Sequence, residues 1–327
     1  GGNQNNIYGT VDIDINDGIV NGAVYCGSNL LGTISGSSLI DISGGQLGTI
    51  SNTEGFDYSN VDAVFGGGLG ASTNVQGRVL LNINNLNIYG NAYGGSSLGT
   101  ISGDVNINIQ DLPSTSNKIE VNGYVFGGGK GNNNTAATVV GDVKLNIDGS
   151  ELSNCSAFGG SNINGTINGA ITVNVGKSYK STILAVYGGG NQDPIGTETQ
   201  SVYVYLLTNA NVTNAFNGGK AADLTSSGID DITRSIYLKG GTAQNIYGGS
   251  DSSGEVTASH IYIESGNVTN VFGGNNLGGT TQISNIIVTG GTASNIYGGG
   301  NQVGVPTTNI KTNGGNIGTI FGGSNMS

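Results

Sequence analysis

Several residue types are scarce or missing in this chain, and each scarcity closes off a kind of chemistry. Its 327 residues include no tryptophan, one histidine, two cysteines and three prolines, and only 9 % are charged. With His260 as the single histidine, multi-histidine metal sites and Ser-His-Asp sets are excluded, apart from a role for that residue alone. Ten Lys and Arg stand against 21 Asp and Glu, a net charge of -11. No basic patch is available, so neither nucleic acid nor an anionic membrane surface is an expected partner. No run of about 20 apolar residues occurs, so no membrane-spanning helix is expected.

What the chain does have is 62 glycines, placed at regular intervals. SNIIVTGGTASNIYGGG at 284–300 has close copies in SIYLKGGTAQNIYGG (235–249), HIYIESGNVTNVFGG (260–274) and NIKTNGGNIGTIFGG (309–323). A period of about 24 to 32 residues is the mark of stacked coils. Each unit reads as a short alternating strand, a Gly-Gly or Ser-Gly turn, a second strand ending in aliphatic-aromatic-Gly-Gly, and a polar loop. The expected fold is all-β: a parallel β-helix (β-solenoid) of about 11–12 coils at 24–32 residues each, forming one domain over 1–327. An irregular coil with an insertion is expected at about 26–64. Longer loops are expected near 110–120, 130–138 and 192–200. The opening GGNQ repeats inside IYGGGNQ and VYGGGNQ, so the chain reads as part of a longer array.

Aligning the first strands of four units gives aliphatic inward columns: Val79, Val105, Val143, Ile171; Leu81, Ile107, Leu145, Val173; and Ile83, Ile109, Ile147, Val175. Between the last two runs an outward column of Asn82, Asn108, Asn146 and Asn174. At a strand spacing of about 4.8 Å such amides can bond along the axis. Extended both ways, this column begins with Asp14 and Asp41 and continues with Tyr205, Tyr237, Tyr262, Ile287 and Lys311. In another column Arg78, Asp104 and Asp142 follow one another, and the carboxylates are expected to repel unless Arg78 or a cation screens them. Lys239 and Glu264 are expected to form an exposed pair.

The second strands align Tyr8, Tyr25, Phe65, Tyr93, Phe126, Phe158, Tyr187, Phe216, Tyr247, Phe272, Tyr297 and Phe321, each after an aliphatic residue. Whether ring or aliphatic faces inward stays open at this stage. Two positions earlier Asn recurs, at Asn6, Asn91, Asn214, Asn245, Asn270 and Asn295, as a corner residue and a second possible ladder. Cys26 and Cys155 fall four or five coils apart, roughly 20 Å, beyond the ~7 Å reach of a disulfide.

Candidate sites are few. The most ligand-like surface combines Tyr203, Tyr205, Tyr237 and Tyr262 with His260, read as an exposed strand residue; aromatic surfaces suit sugars and protein partners. Against it stands the plain reading that paired Tyr rings stabilise the sheet. Carboxylate pairs for a polysaccharide-cleaving enzyme would be Asp104 with Asp142, or Asp230 with Asp231 beside Arg234. Such charges do not converge, so no catalytic residue, metal or cofactor is expected. The glycine turns lack the Lys-Ser/Thr ending of a P-loop and the Asp of calcium-binding repeats. Thr33, Thr49, Thr100 and Thr319 do not fill successive coils, as an ice-binding face would need.

The VYGGGN-like tandem units resemble those of Gly-rich right-handed parallel β-helical surface proteins of bacteria, the adhesin and passenger-domain class. The resemblance covers essentially the whole chain and implies a non-catalytic extracellular or cell-surface fibre element. Its partners would be itself, by continuation or end-to-end stacking, and surface glycans or host proteins. A carbohydrate-binding or polysaccharide-degrading β-helix is the alternative.

Overall fold

The computed structural model describes residues 2–111, 119–192, 201–223 and 233–326. The first-strand segments alternate as their sequence dictates: in Val79–Ile83 (VLLNI) positions 1, 3 and 5 are buried and positions 2 and 4 are partly exposed. Eleven such segments stack in register, each parallel to the next. They are Val11–Ile15, Ser38–Ile42, Val79–Ile83, Val105–Ile109, Val143–Ile147, Ile171–Val175, Val202–Leu206, the first part of Arg234–Tyr247, the middle of Glu255–Phe272, Thr280–Val288 and Thr307–Thr312. The result is a parallel β-solenoid of about 10 turns. Two shorter parallel sheets complete the wall of the earlier coils, one of five strands including Leu31–Ile34 and Ala137–Val139, the other of four including Gln46–Leu47 and Glu120–Val121.

The aliphatic columns form one continuous core along the axis, with Leu81, Ile107, Leu145 and Val173 all fully buried. The structure also resolves the orientation left open by the second strands. Val64, Ala92, Val125, Ala157 and Val186 join the aliphatic core, so the rings that follow them lie on the opposite face of the strand. There they form a second column, stacked from Tyr25 to Phe321 with centroids 4.5–5.0 Å apart and planes within 2–13°. Strand spacing and ring-stacking distance coincide, so every coil adds one offset-stacked pair without strain. Tyr8 is not a member: Ile7 bridges Ile34 of the five-stranded sheet's wall, and Tyr8 is 89 % exposed.

Where a glycine follows a ring between Phe65 and Tyr297, close approach requires it. It faces the lumen, where an added Cβ at Gly127 would lie 2.5 Å from Val143 Cγ1, and at Gly159 2.5 Å from Ile171 Cγ2. Two coils depart from this rule. Cys26 takes the glycine's place opposite a small residue, Ser38, whose Oγ donates to the Cys26 carbonyl at 3.2 Å. Asn217 takes it where the next first strand begins with Arg234 in place of Val202, and both side chains are fully buried. In the later coils the lumen residue becomes Ser259, Ser284 or Thr308, whose hydroxyl donates to the carbonyl of Gly273, Gly298 or Gly322.

Both cysteines are buried free thiols. Residues 52–60 leave the coil pattern as a loop with one 3₁₀ turn, Tyr58–Asn60, capped by the Asp57 side chain. Parts of the expected loops at 110–120 and 192–200 lie outside the described residues. The LGTIS copies do not share a place: residues 31–34 and 100–101 sit in the five-stranded sheet, Leu47 in the four-stranded one, and 317–320 in the ring-bearing strand.

Candidate functional site

The outward column of the first strands has the expected register throughout, from Asp14 and Asp41 through the four Asn to Tyr205, Tyr237, Tyr262, Ile287 and Lys311. Its amides form a hydrogen-bonded ladder. Asn174 Nδ2 donates to Asn146 Oδ1 at 2.9 Å, Asn146 to Asn108 at 2.8 Å, Asn108 to Asn82 at 2.8 Å, and Asn82 to Asp41 Oδ1 at 3.0 Å. A carboxylate can only accept, so Asp41 fixes the direction of every bond above it.

A second ladder runs Asn295 to Asn270 to Asn245 to Asn214 at 2.9–3.0 Å. These four lie within strands, and among the described residues the only non-glycine with positive φ is Asn85, so they are not left-handed corner residues. Asn6 and Asn91 fall outside this ladder: Asn6 accepts from the Thr33 N–H, while Asn91 donates to the Ser59 carbonyl and accepts from the Tyr124 N–H. Tyr124 takes the column's place in the next coil. It packs edge-on against Phe126 and Phe158 over the small Ser156 and Ala185, which interrupts the amide run.

Two further ladders were not foreseen. Asn325 donates to Asn301, Asn301 to Asn276, and Asn276 to Asp251 Oδ1, again ending on a carboxylate. The signal was an Asn or Asp one or two residues past the glycines, in GGSD, GGNN, GGGN and GGSN. Asn309 donates to Asn285, whose own amide nitrogen stands 3.2 Å from His260 Nε2. His260 is thus not an exposed strand residue: it is 4 % exposed, held in a column between Ser235 and Asn285.

The tyrosines behave as a second aromatic column. Tyr205, Tyr237 and Tyr262 stack at 5.0 and 4.7 Å, and Tyr203 lies 6.1 Å from Tyr205. Lys239 Nζ lies 5.0 Å from the Tyr237 ring centre and 5.4 Å from that of Tyr205, and pairs with Glu264 at 3.6 Å. Partial burial raises the phenol pKa of Tyr205, Tyr237 and Tyr262. Their faces are spent on one another and on Lys239, which leaves little flat ring surface for a sugar.

The acidic pairs are also engaged. Asp104 Oδ1 accepts the Asp142 N–H at 2.9 Å and Asp142 Oδ1 accepts the Ala170 N–H at 2.8 Å, so a backbone donor from the next coil engages one oxygen of each carboxylate. Asp230 and Asp231 lie outside the described residues. Asp62 binds Lys130 at 2.5 Å and accepts from Tyr93 O–H, which also receives the Asn162 amide at 2.9 Å. Burial first, then the Asp62 charge, pushes the Tyr93 phenol far up. Among the described residues no three His, Cys, Asp or Glu gather as a metal site, and no helix is long and apolar enough to cross a membrane.

A cleft of about 580 Å³ runs along the first ladder, floored by Asn82, Asn108, Asn146 and Asn174 and edged by Asp41, Asn84, Gln110, Asp148, Lys144 and Lys177. Comparison with family models, with curated proteins and with solved structures gives no match.

Proposed function

We propose that the chain is a non-catalytic structural shaft of an extracellular or cell-surface fibre, of the Gly-rich adhesin kind that its VYGGGN-like repeats resemble. The observation that supports this most is the unbroken run of columns along the axis. Aliphatic core and stacked rings repeat once per coil, amide ladders tie runs of four or five successive coils, and what varies from coil to coil is surface chemistry. Ladders of this kind resist shear between coils, because displacing one coil breaks a backbone ladder, a ring contact and several amide bonds together. Ten steps of about 4.8 Å give a rod roughly 50 Å long.

The same reading makes a further coil, from this chain or another copy, the natural partner of the terminal coils. Electron microscopy of the native material, with antibodies to this chain, tests the proposal. Labelled filaments at the cell surface are the expected result. Label confined to discrete particles inside the cell would overturn it.

A further inference from the structure

We propose that Asn21 and Asn313 are sites of spontaneous deamidation, at which the backbone nitrogen of the following glycine displaces ammonia from the side chain and leaves aspartate or isoaspartate. The inference goes beyond the shaft reading and does not depend on it.

The step makes three demands. The residue after the asparagine must lack a Cβ, so that the backbone can turn its nitrogen onto the side-chain carbonyl carbon. That nitrogen must hold no hydrogen bond, and the side chain must be free to come within about 3–3.5 Å of it. Six asparagines precede a glycine: Asn21, Asn122, Asn164, Asn168, Asn217 and Asn313.

The fold separates these six. The Asn164 amide donates to the Asn132 carbonyl at 3.0 Å, and Gly165 lies in the strand Gly165–Ile167. Gly123 and Gly169 are packed against the backbone of Gly90 and Gly141, where an added Cβ would come within 2.4 Å. Asn217 is fully buried, and the Gly218 N–H donates to the Gly249 carbonyl at 3.1 Å. Among the described residues, Asn21 and Asn313 alone combine an exposed, unbonded side chain with an exposed glycine whose N–H makes no hydrogen bond. Both lie in bends, after the strands Ile19–Val20 and Thr307–Thr312. The ladder amides are protected: Asn82, Asn108, Asn146 and Asn174 each donate to a neighbouring coil and precede Ile or Val within a strand. A branched successor with a paired nitrogen blocks the attack.

In the reaction a base takes the glycine N–H proton, and the nitrogen bonds to the asparagine Cγ to close a cyclic imide. The bond from Cγ to the side-chain nitrogen breaks, and ammonia leaves with a proton from water. A water molecule then opens the imide at either carbonyl. The net change is amide plus water to carboxylate plus ammonium, with water the sole co-reactant. Each event adds one negative charge to a chain of net charge -11, at a turn and not in a ladder.

Peptide mapping by mass spectrometry of the whole folded chain, during incubation at mildly alkaline pH, provides the test. Asn21 and Asn313 should each gain one mass unit at least tenfold faster than the other four Asn-Gly pairs and than any ladder asparagine. In the guanidinium-unfolded chain all six pairs should react at similar rates. An added Cβ at Gly22 meets nothing within 4 Å, so Gly22→Ala should leave circular dichroism unchanged. It should slow Asn21 at least tenfold and leave Asn313 as it was. Rates at Asn21 and Asn313 no higher than at Asn217 in the folded chain, the same ranking with and without guanidinium, or an unchanged Asn21 rate in Gly22→Ala would each overturn the proposal.

Discussion

Asn82 donates its amide N–H to Asp41 Oδ1 at 3.0 Å, so a ladder of four amides ends on a group that can only accept. The same arrangement recurs where Asn276 donates to Asp251 at 2.7 Å. All the donor groups of the column point toward the carboxylate, which places its charge at the positive end of a row of aligned dipoles, much as an acidic side chain sits at a helix N-terminus.

This polarity makes Asp and Asn unequal at neighbouring positions. Asp41→Asn should be neutral or stabilising, because an amide still accepts from Asn82 and can also donate to Asp14, its partner in the preceding coil. Asn82→Asp should cost about 1–3 kcal/mol, since it removes a donor and sets two carboxylates side by side. Urea midpoints of the two variants check the asymmetry.

Removal of one rung should be measurable as well. Asn108→Ala deletes the bonds to Asn82 and from Asn146, and should destabilise by about 1–3 kcal/mol at roughly 1 kcal/mol per bond. A change below a few tenths of a kcal/mol in denaturant unfolding would show that the ladder adds nothing.

The buried ring column should matter more than the outer one. Phe158 is fully buried and stacks on Phe126 at 4.9 Å and Tyr187 at 4.5 Å, so Phe158→Ala should cost about 3–5 kcal/mol. Tyr262→Ala, at a half-buried ring with one stacked neighbour, should cost clearly less in the same thermal or denaturant assay.

Gly159→Ala should destabilise by about 1–3 kcal/mol through overpacking, since the new methyl would meet both Ile171 Cγ2 and the Gly188 carbonyl. Ile171→Ser in the same chain should recover part of that loss, on the pattern of Cys26 with Ser38. A double-mutant cycle with no coupling would contradict this account of the glycine positions.

Alkaline pH should unfold the protein through its buried acids. Burial raises the Cys155 thiol from 9.0 to about 12 and the Tyr247 phenol from 10.0 to about 12, the latter with a further push from Asp251. A raised folded value means the neutral form is favoured in the fold. That stability is complete below the unfolded value and is lost as pH climbs through the folded one, so it should fall between about pH 9 and 12. Following thiol reactivity and phenolate absorbance alongside circular dichroism checks this: both groups should titrate with unfolding, not before it.

Much of this architecture can be read from the sequence because a solenoid repeats one local problem. Leu81, Ile107, Leu145 and Val173 must all face the same lumen, so their alignment determines the register of the outward column from Asp14 to Lys311. The parts that could not be read depend on contacts between elements of different phase. Whether Phe126 or Val125 faced inward was undecided because both are buried, one by the lumen and the other on the opposite face, where Asn162 reaches the Tyr93 hydroxyl. Tyr8 and Asn91 carry the motif but answer to neighbours outside it, in Ile34 and in the 52–60 loop. His260 occupies an outward position and is nevertheless buried, because column neighbours enclose it on both sides. The candidate cleft was half visible: its amides were evident, whereas the lysines at its edge follow from three-dimensional placement.

The central claim, a shaft of stacked coils with strands perpendicular to its length, is tested most directly by X-ray diffraction from oriented native filaments. The account predicts a reflection near 4.8 Å along the filament axis. A 4.8 Å spacing running across the filament, or native material that forms no filaments, would contradict it.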